Sequence, residues 1–391
     1  MDRSQNQSEL RDLAALFLKL GATAFGGPAA HIAMMEDEVV HRRGWMTHQE
    51  FLDLVGATNL IPGPNSTELA IHIGWRRARW RGLIIAGVCF IIPAVCIVLL
   101  LAWAYVRYGS LPEVDAALYG IKPVILAIIA QALWRLGRTA LKTIPLALVG
   151  VATTALMLAG VNELLLLGLA GLLMLSLHAL RSRHDSGRVR VCALPWLVGG
   201  SPWFATAAAG AAGMPAAFSL WKLGLFFVKV GSVLYGSGYV LLAFLRADLV
   251  ERWGWLTESQ LLDAIIAGQV TPGPVFTTAT FVGYLLGGFP GAMVATGGIF
   301  LPAFVFVALS SPFIPRLRRS KLAGAFLDGL NVASLGLMLA VSLQLSRAAV
   351  VDWPTAALAL LAGFALFRFR LNSTWLIAAG AVLGLLVSQW R

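Results

Sequence analysis

Long apolar runs dominate this chain, and short polar or glycine-rich stretches separate them. The longest runs occupy 82–105, 117–134, 144–160, 163–179, 292–315 and 375–389. Each approaches the ~20 residues that a helix needs to cross a bilayer. Because lipid cannot satisfy backbone groups, such runs must be helical. The pattern predicts an all-α polytopic integral membrane protein with about 10–13 transmembrane helices; the upper value requires the weakly apolar stretch 193–213 to cross as well.

The polar interruptions occur twice along the chain. FLKLGATAFGGP (17–28) matches FVKVGSVLYGSG (227–238), and GWMTHQEFLDLVGATNLIPGP (44–64) matches GWLTESQLLDAIIAGQVTPGP (254–274). The offset is 210 residues, as between Lys19 and Lys229, and it becomes 209 after one deletion. A repeat of this length in so apolar a chain is typical of transporters built from two homologous halves.

The repeat divides the chain into three predicted parts. They are an N-terminal repeat at 1–180, a basic linker with room for an extra transmembrane helix at 181–217, and a C-terminal repeat at 218–391. The basic loops alternate between the copies. The loop after the first Pro-Gly-Pro, WRRARWRG, carries four arginines, whereas its mate YLLGGFPG is uncharged. Since positive loops stay in the cytoplasm, we expect the two repeats to have opposite orientations, as in an inverted repeat.

Composition agrees with a membrane protein. Hydrophobic residues make up 58% of the 391 residues and charged residues 13%, with a net charge of +11. The arginines lie in short loops between apolar runs, so we interpret this charge as a topology signal and expect no nucleic-acid partner. The polar N-terminus predicts no cleavable signal peptide. The three cysteines match no metal or disulfide spacing, and we expect no metal and no cofactor.

Each repeat carries a lysine followed by helix-breaking residues. Copy one has Lys19, Gly26, Gly27 and Pro28, and copy two has Lys229, Gly236, Ser237 and Gly238. Irregular backbone at membrane depth must line a cavity or be buried in protein. An alternative for the lysines is that they lie near helix ends and extend to the membrane interface.

A second broken segment follows in each repeat. A helix that starts at a capping box, Thr47 with Glu50 or Thr257 with Gln260, is predicted to stop at a Pro-Gly-Pro triplet. The triplets are Pro62-Gly63-Pro64 and Pro272-Gly273-Pro274, and polar residues follow them: Asn65, Ser66 and Thr67, or Thr277 and Thr278. These residues are suited to begin a new half-helix, whose N-terminus carries free amides and about half a positive charge. At membrane depth that arrangement makes an anion site.

If the broken segments of the two repeats converge near the midplane, the resulting site would suit a small tetrahedral oxyanion such as sulfate or chromate. Other ionisable or polar residues in the apolar segments are further candidates. Lys122 and its counterpart Asn331 are candidates for binding the substrate. The candidates for coupling substrate transport to a driving ion are Glu68, Asp53, Asp263 and Asp328. Glu68 can instead complement the helix dipole, and the aspartates can pair with lysines. We expect His31 to be structural, and Tyr235 and Tyr239 either to donate to an anion or to pack at an interface.

At these residues the chain resembles the chromate ion transporter family. The resemblance rests on FGGP (25–28), the GW turn with its following helix (44–60) and PGP-N-S/T (62–67), together with their second-half counterparts. It implies a proton- or potential-linked exporter of chromate in the bacterial cytoplasmic membrane that confers chromate resistance, with sulfate as an analogue and competitor. It is compatible with a homodimer. The second copy has Ser237-Gly238 in place of Gly27-Pro28, so the two sites need not be equivalent.

Three alternatives stay open from the residues. A sulfate or other oxyanion permease working inward would use the same segments. An intramembrane enzyme acting on a lipid phosphate would need a nucleophile with a base, or a metal cluster, and the sequence shows no HExxH, no paired His/Cys set and no P-loop. A membrane scaffold or receptor subunit would not require two matched sets of polar, broken helices.

Overall fold

A computed structural model describes residues 3–25, 27–185, 217–235, 238–311, 321–369, 371 and 373–388. Throughout these ranges the regular structure is helical, with no strand. The first repeat contains α1 (Arg3–Thr23), α2 (Gly27–Glu36), α3 (His48–Thr58), α4 (Asn65–Tyr108), α5 (Pro112–Ala140), α6 (Ile144–Leu158) and α7 (Glu163–Asp185). The second contains α8 (Leu220–Val233), α9 (Leu241–Phe244), α10 (Glu258–Val270), α11 (Thr278–Ser310), α12 (Lys321–Ala349), α13 (Trp353–Phe369) and α14 (Ser373–Ser388).

Short irregular helices join some of these elements in matching places. A π-helical turn follows α2 at Asp37–Arg42, and another follows α9 at Leu245–Arg252. Two 3₁₀ turns, Gly238–Val240 and Val275–Thr277, precede α9 and α11. The predicted crossing at 193–213 lies outside the described residues.

Both predicted capping boxes are confirmed. Thr47 accepts a hydrogen bond from the Glu50 amide while the Glu50 carboxylate accepts from the Thr47 amide, and Thr257 with Gln260 does the same at the start of α10. The hydrogen bonds from Thr47 hold the pKa of the exposed Glu50 carboxyl below its usual range. These boxes fix where α3 and α10 begin, and therefore where they approach the Pro-Gly-Pro triplets.

The long helices α4 and α11 are each a helical hairpin. In α4 the backbone leaves helical geometry at Ala78 and Arg79, with Arg79 at φ 50°, so its first arm (65–77) folds back on its second arm (80–108). In α11 the same break falls at Gly287 and Gly288, with Gly288 at φ 57°. Close approach of the arms depends on glycine, since a Cβ added to Gly74 would overlap the backbone of the opposing arm.

Arg79 occupies the left-handed region that glycine adopts at the matching position of the second repeat. We expect Arg79→Gly to raise the stability of the purified protein in detergent by about 1 kcal/mol, because a non-glycine residue pays a steric cost there. Thermal unfolding measures this. Arg81→Gly, a control in the helical part of the second arm, should instead lower the stability by about 1 kcal/mol. A lower melting temperature for Arg79→Gly would contradict the hairpin geometry.

The two repeats exchange helices. Helix α5 of the first repeat packs against α13 and α14 of the second, and α12 of the second packs against α6 and α7 of the first. In the middle, α4 packs against α11. Small residues permit these contacts: Gly120 of α5 lies against Gly380 and Gly384 of α14, and the matching Gly329 of α12 lies against Ala170 and Gly171 of α7.

The helices have the lengths and surfaces of a membrane protein. Five are long and apolar enough to cross a bilayer: Asn65–Tyr108, Pro112–Ala140, Glu163–Leu180, Val275–Ser310 and Leu322–Ala349. Three shorter apolar helices, α6, α13 and α14, accompany them. Large apolar side chains such as Leu148, Leu360 and Trp375 are exposed, as expected for a surface that faces lipid. The total number of crossings stays a prediction.

Candidate functional site

The Pro-Gly-Pro triplet of each repeat contacts the first helix of the other repeat. The Gly63 amide donates to the Leu234 carbonyl oxygen at 2.8 Å, directly after α8. Reciprocally, the Gly273 amide donates to the Ala24 carbonyl oxygen at 2.9 Å, directly after α1. These two bonds bring all four predicted helix breaks to one place between the repeats.

A small central space lies at this crossing. It is lined by Pro28, Pro64, Asn65, Ser66, Gly238, Pro274, Val275 and Phe276. Its volume is about 10 Å³, room for about one water and too little for a tetrahedral oxyanion. The first arm of α4 begins at this space with Asn65, so its unpaired amides lie there. The lining carries no charged side chain, and an anion here would be met by backbone dipoles and by the Asn65 and Ser66 side chains.

The predicted site residues near this space have different surroundings. Asn65 donates to the Asn59 side chain at 2.8 Å, whereas the buried Thr67 hydroxyl has no partner among the described residues. The Thr277 and Thr278 hydroxyls donate back to the carbonyl oxygens of Pro274 and Val275 and so cap their own helix. Gly26, Gly236, Ser237 and the Tyr239 side chain lie outside the described part of the chain.

His31 supports one side of the crossing. It is buried, and its Nε2 lies 3.0 Å from the Ala24 carbonyl oxygen, the same oxygen that accepts from Gly273. Its ring also packs edge-on against Phe90. The contact of His31 with this oxygen holds the Ala24 carbonyl in place.

Both repeat lysines lie in ion pairs with carboxylates. Lys19 Nζ is 2.7 Å from Glu38 Oε1, and Arg42 and Arg43 contact the same carboxylate at 3.3 Å. In the second repeat, Lys229 pairs with Asp248. Neither lysine is among the residues that line the central space, and each has a carboxylate partner for its charge.

The Lys229 cluster has a second buried acid, whereas the second acid of the Lys19 cluster, Asp37, is exposed. Asp248 also pairs with Arg252, and Lys229 Nζ lies 3.8 Å from Glu163 Oε1 at the start of α7 in the first repeat. Asp248 and Glu163 are both buried. Glu38, Asp248 and Glu163 are not among the predicted site residues. The signal was present for the first two, because acids recur at these positions with the 210-residue offset.

Lys122 belongs to a buried ion pair between the repeats. Its Nζ lies 3.3 Å from Asp263 Oδ1 and donates to the Ser259 hydroxyl at 2.7 Å. The Tyr105 hydroxyl donates to the other Asp263 oxygen at 2.9 Å. The side chains of Lys122 and Asp263 are 14% and 3% exposed, so the carboxylate is buried and the ammonium group largely so.

The remaining coupling candidates differ in burial. Asp328 lies on α12 and pairs with Lys142 at 3.1 Å in an exposed position. Asp53 accepts from Gln49 on the surface of α3, and Asn331 is partly buried in α12. Glu68 stands apart: it is fully buried in the first turn of α4, and neither of its carboxylate oxygens has a partner within the described ranges.

Comparisons with known proteins agree with the repeat. A family model described as "Chromate transporter" matches residues 11–175 and again 221–385. The chromate transport protein of Cupriavidus metallidurans is 34% identical over 381 residues, which cover 96% of this chain and 92% of that protein. The probable chromate transport protein of Synechococcus elongatus is 30% identical over 384 residues, covering 96% and 95%. No solved structure matches the fold.

The family explains the architecture described above. Its model matches once in each repeat, and together the two matches cover most of the chain. Its members are transporters, which removes the intramembrane-enzyme alternative. With two broken-helix repeats, reciprocal contacts between them and full-length relatives, the chain belongs to the chromate transporter family.

Proposed function

We propose that this protein is a secondary transporter that exports chromate across a bacterial cytoplasmic membrane, with the central space as its substrate site. The observation that carries the proposal is the pair of reciprocal hydrogen bonds from Gly63 to Leu234 and from Gly273 to Ala24. Breaks in lipid-embedded helices are tolerated where they line a substrate path. Here four breaks from two repeats meet at one point.

The start of α4 supplies the attraction for an anion. The amides of Asn65, Ser66 and Thr67 have no partner within the helix, and the helix dipole places partial positive charge beside them. Tetrahedral oxyanions accept several hydrogen bonds at once, which such a cluster of donors satisfies. Sulfate has the same shape and charge as chromate, so we propose it as a competitor for the site.

Transport requires the central space to open. A cavity of about 10 Å³ does not hold the ion, so the structure corresponds to a closed arrangement in this mechanism. The bonds of Gly63 and Gly273 lie on the two triplets and can break one at a time. With the repeats in opposite orientations, breaking one bond would open the space to the cytoplasm and breaking the other would open it to the outside.

The lysine pairs give the ion a second attraction. The Lys19 side chain is 53% exposed although it pairs with Glu38. A dianion arriving from solvent would compete with that carboxylate for the ammonium group, since both are oxyanions. In this proposal Lys19 and Lys229 guide the ion toward the central space, and the backbone amides hold it there.

Chromate uptake into inverted membrane vesicles tests the function. Vesicles from cells that make the protein should accumulate chromate when the membrane is energised, and excess sulfate should reduce the accumulation. Vesicles without the protein provide the control. If vesicles containing the protein accumulate no more chromate than the control, export of chromate is wrong, and uptake into right-side-out vesicles then tests the inward permease.

A further inference from the structure

The first arm of α4 carries an unusual set of buried polar atoms. Thr67 Oγ1, both carboxylate oxygens of Glu68 and His72 Nε2 have no hydrogen-bond partner among the residues that the structure describes. All three residues are at most 1% exposed. Buried polar groups in proteins are almost always bonded, so four such atoms within two helical turns require a functional explanation.

Glu68 and His72 form a line between the central space and the surface. They are four residues apart, so they lie on the same face of the helix, about 6 Å apart along its axis. The same spacing continues to Pro64, which lines the central space, and to Arg76, whose side chain is 54% exposed. A group that leaves the central space along this face therefore meets an acid, then an imidazole, then solvent.

The helix opposite this line offers no compensating charge. Ala303, Val307 and Ser311 follow one face of α11 and its C-terminal cap at the same four-residue spacing. A Cβ on Gly63 would overlap Glu68 Oε1 and lie 3.7 Å from the Ala303 Cβ, so Ala303 and the Glu68 carboxylate both lie beside this point. Ser311 Oγ lies 3.5 Å from His72 Nδ1. No acidic or basic residue occurs in α11. Burying Glu68 in its ionised form here would cost more free energy than burying the protonated acid.

The other titratable groups around α4 are either paired with residues other than Glu68 and His72 or exposed. Tyr235, two residues after the end of α8, is close enough to interact electrostatically with Glu68. The charged groups on the helices that pack against α4 have these partners: Glu9 with Arg77, Lys19 with Glu38, His48 with Glu36, Glu50 with Arg76, Asp53 with Gln49, Glu258 with Arg246, and Asp263 with Lys122. Arg11 and Asp12 are exposed, and His31 binds the Ala24 carbonyl oxygen.

We propose that Glu68 and His72 are the proton path of this transporter and couple substrate movement to proton movement. The inference rests on the proposed function and adds its coupling ion. Glu68 takes up a proton beside the central space. It passes that proton from a carboxyl oxygen to His72 Nε2, directly or through one water, leaving a carboxylate and an imidazolium. The imidazolium then releases a proton toward the solvent near Arg76.

The acid and the imidazole of this path have no counterpart at the matching positions of the second repeat. The matching stretch of the second repeat, TTATFVG (277–283), has no ionisable side chain. Its hydroxyls are bonded within the protein, as Thr280 is to Thr296 at 2.8 Å. The two repeats therefore share the substrate site, while proton transfer belongs to the first repeat alone.

Proteoliposomes that contain the purified protein and an internal pH dye test the path. In the wild-type protein, an imposed chromate gradient should drive proton movement. Glu68→Gln and His72→Phe should lose the proton movement but retain exchange of labelled for unlabelled chromate, which needs no net proton transfer. Glu113→Gln is the control: it changes an exposed acid in the first turn of α5, away from the path, and it should behave as wild type.

The outcomes separate this inference from the proposed function. Wild-type protein that carries chromate without moving protons overturns the proton path and leaves the function intact. Wild-type protein that carries no chromate overturns the function. Proton movement at the wild-type rate in both Glu68→Gln and His72→Phe also overturns the path. Because the wild-type measurement alone can overturn the proton path, the test remains decisive even if a variant fails to fold.

Discussion

Replacing Lys122 with methionine is expected to destabilise the protein by roughly 3–5 kcal/mol, the usual cost of removing one member of a buried ion pair. The substitution leaves the Asp263 carboxylate, 3% exposed, with the Tyr105 hydroxyl as its remaining described partner. Because this pair joins α5 of one repeat to α10 of the other, the loss should loosen the contact between the repeats. Thermal unfolding of the purified protein in detergent measures the effect.

Two further variants make this prediction specific. Lys142→Met breaks the exposed pair with Asp328, whose side chains are 60% and 39% exposed, and should cost less than about 1 kcal/mol. The double variant Lys122→Met/Asp263→Asn removes both buried charges while keeping an acceptor for Tyr105, so it should recover most of the stability. If Lys122→Met melts at the wild-type temperature, the charge pair is not buried as described.

Substituting Gly273 with alanine should abolish chromate transport. Gly273 has φ 86°, and a side chain there costs about 1–3 kcal/mol in backbone strain. Its new Cβ would also lie 2.9 Å from both the Gly21 carbonyl oxygen and the Ala94 Cβ. Relief of this overlap must move the triplet away from α1, so the Gly273–Ala24 hydrogen bond cannot re-form. The central space then stays open on that side and the transport cycle cannot be completed.

Gly254 provides the matched control for that variant. It has φ 62°, but no heavy atom lies within 4 Å of an added Cβ. Gly254→Ala therefore pays a backbone cost of about 1–2 kcal/mol without disturbing a neighbour, and its transport in inverted vesicles should stay near wild type at equal protein levels. Equal transport by Gly273→Ala and Gly254→Ala would show that the contact between triplet and first helix is not needed for function.

Local signals in the sequence predict the helix breaks correctly. The prolines of each triplet and the threonines of each capping box act on their own backbone, so a single segment contains the information. The turn of the α4 hairpin was also predicted, because the arginines of WRRARWRG indicate a loop between apolar runs. Its residues Ala78 and Arg79 are neither glycine nor proline, whereas the matching turn of the second repeat is Gly287-Gly288.

Long-range contacts could not be predicted from these patterns. Lys19 reaches Glu38 because the π-helical turn after α2 returns the chain to α1, and no periodicity encodes that return. The pairing of Lys122 with Asp263 joins residues of different repeats. Glu68 lacks a hydrogen-bond partner among the described residues because α11 places an apolar face opposite it. This lack is a property of the packed structure and cannot be read from the local sequence.

The exchange of helices between the repeats has a consequence for how the protein is made. Helix α5 is synthesised long before α13 and α14, so its glycine surface at Gly120 has no native neighbour while the first half is being inserted. In the same interval α6 and α7 lack α12, the helix of the second repeat that packs against both of them. The first half is thus incomplete until the last segments leave the ribosome, and a premature stop late in the message leaves α5 without its neighbours α13 and α14.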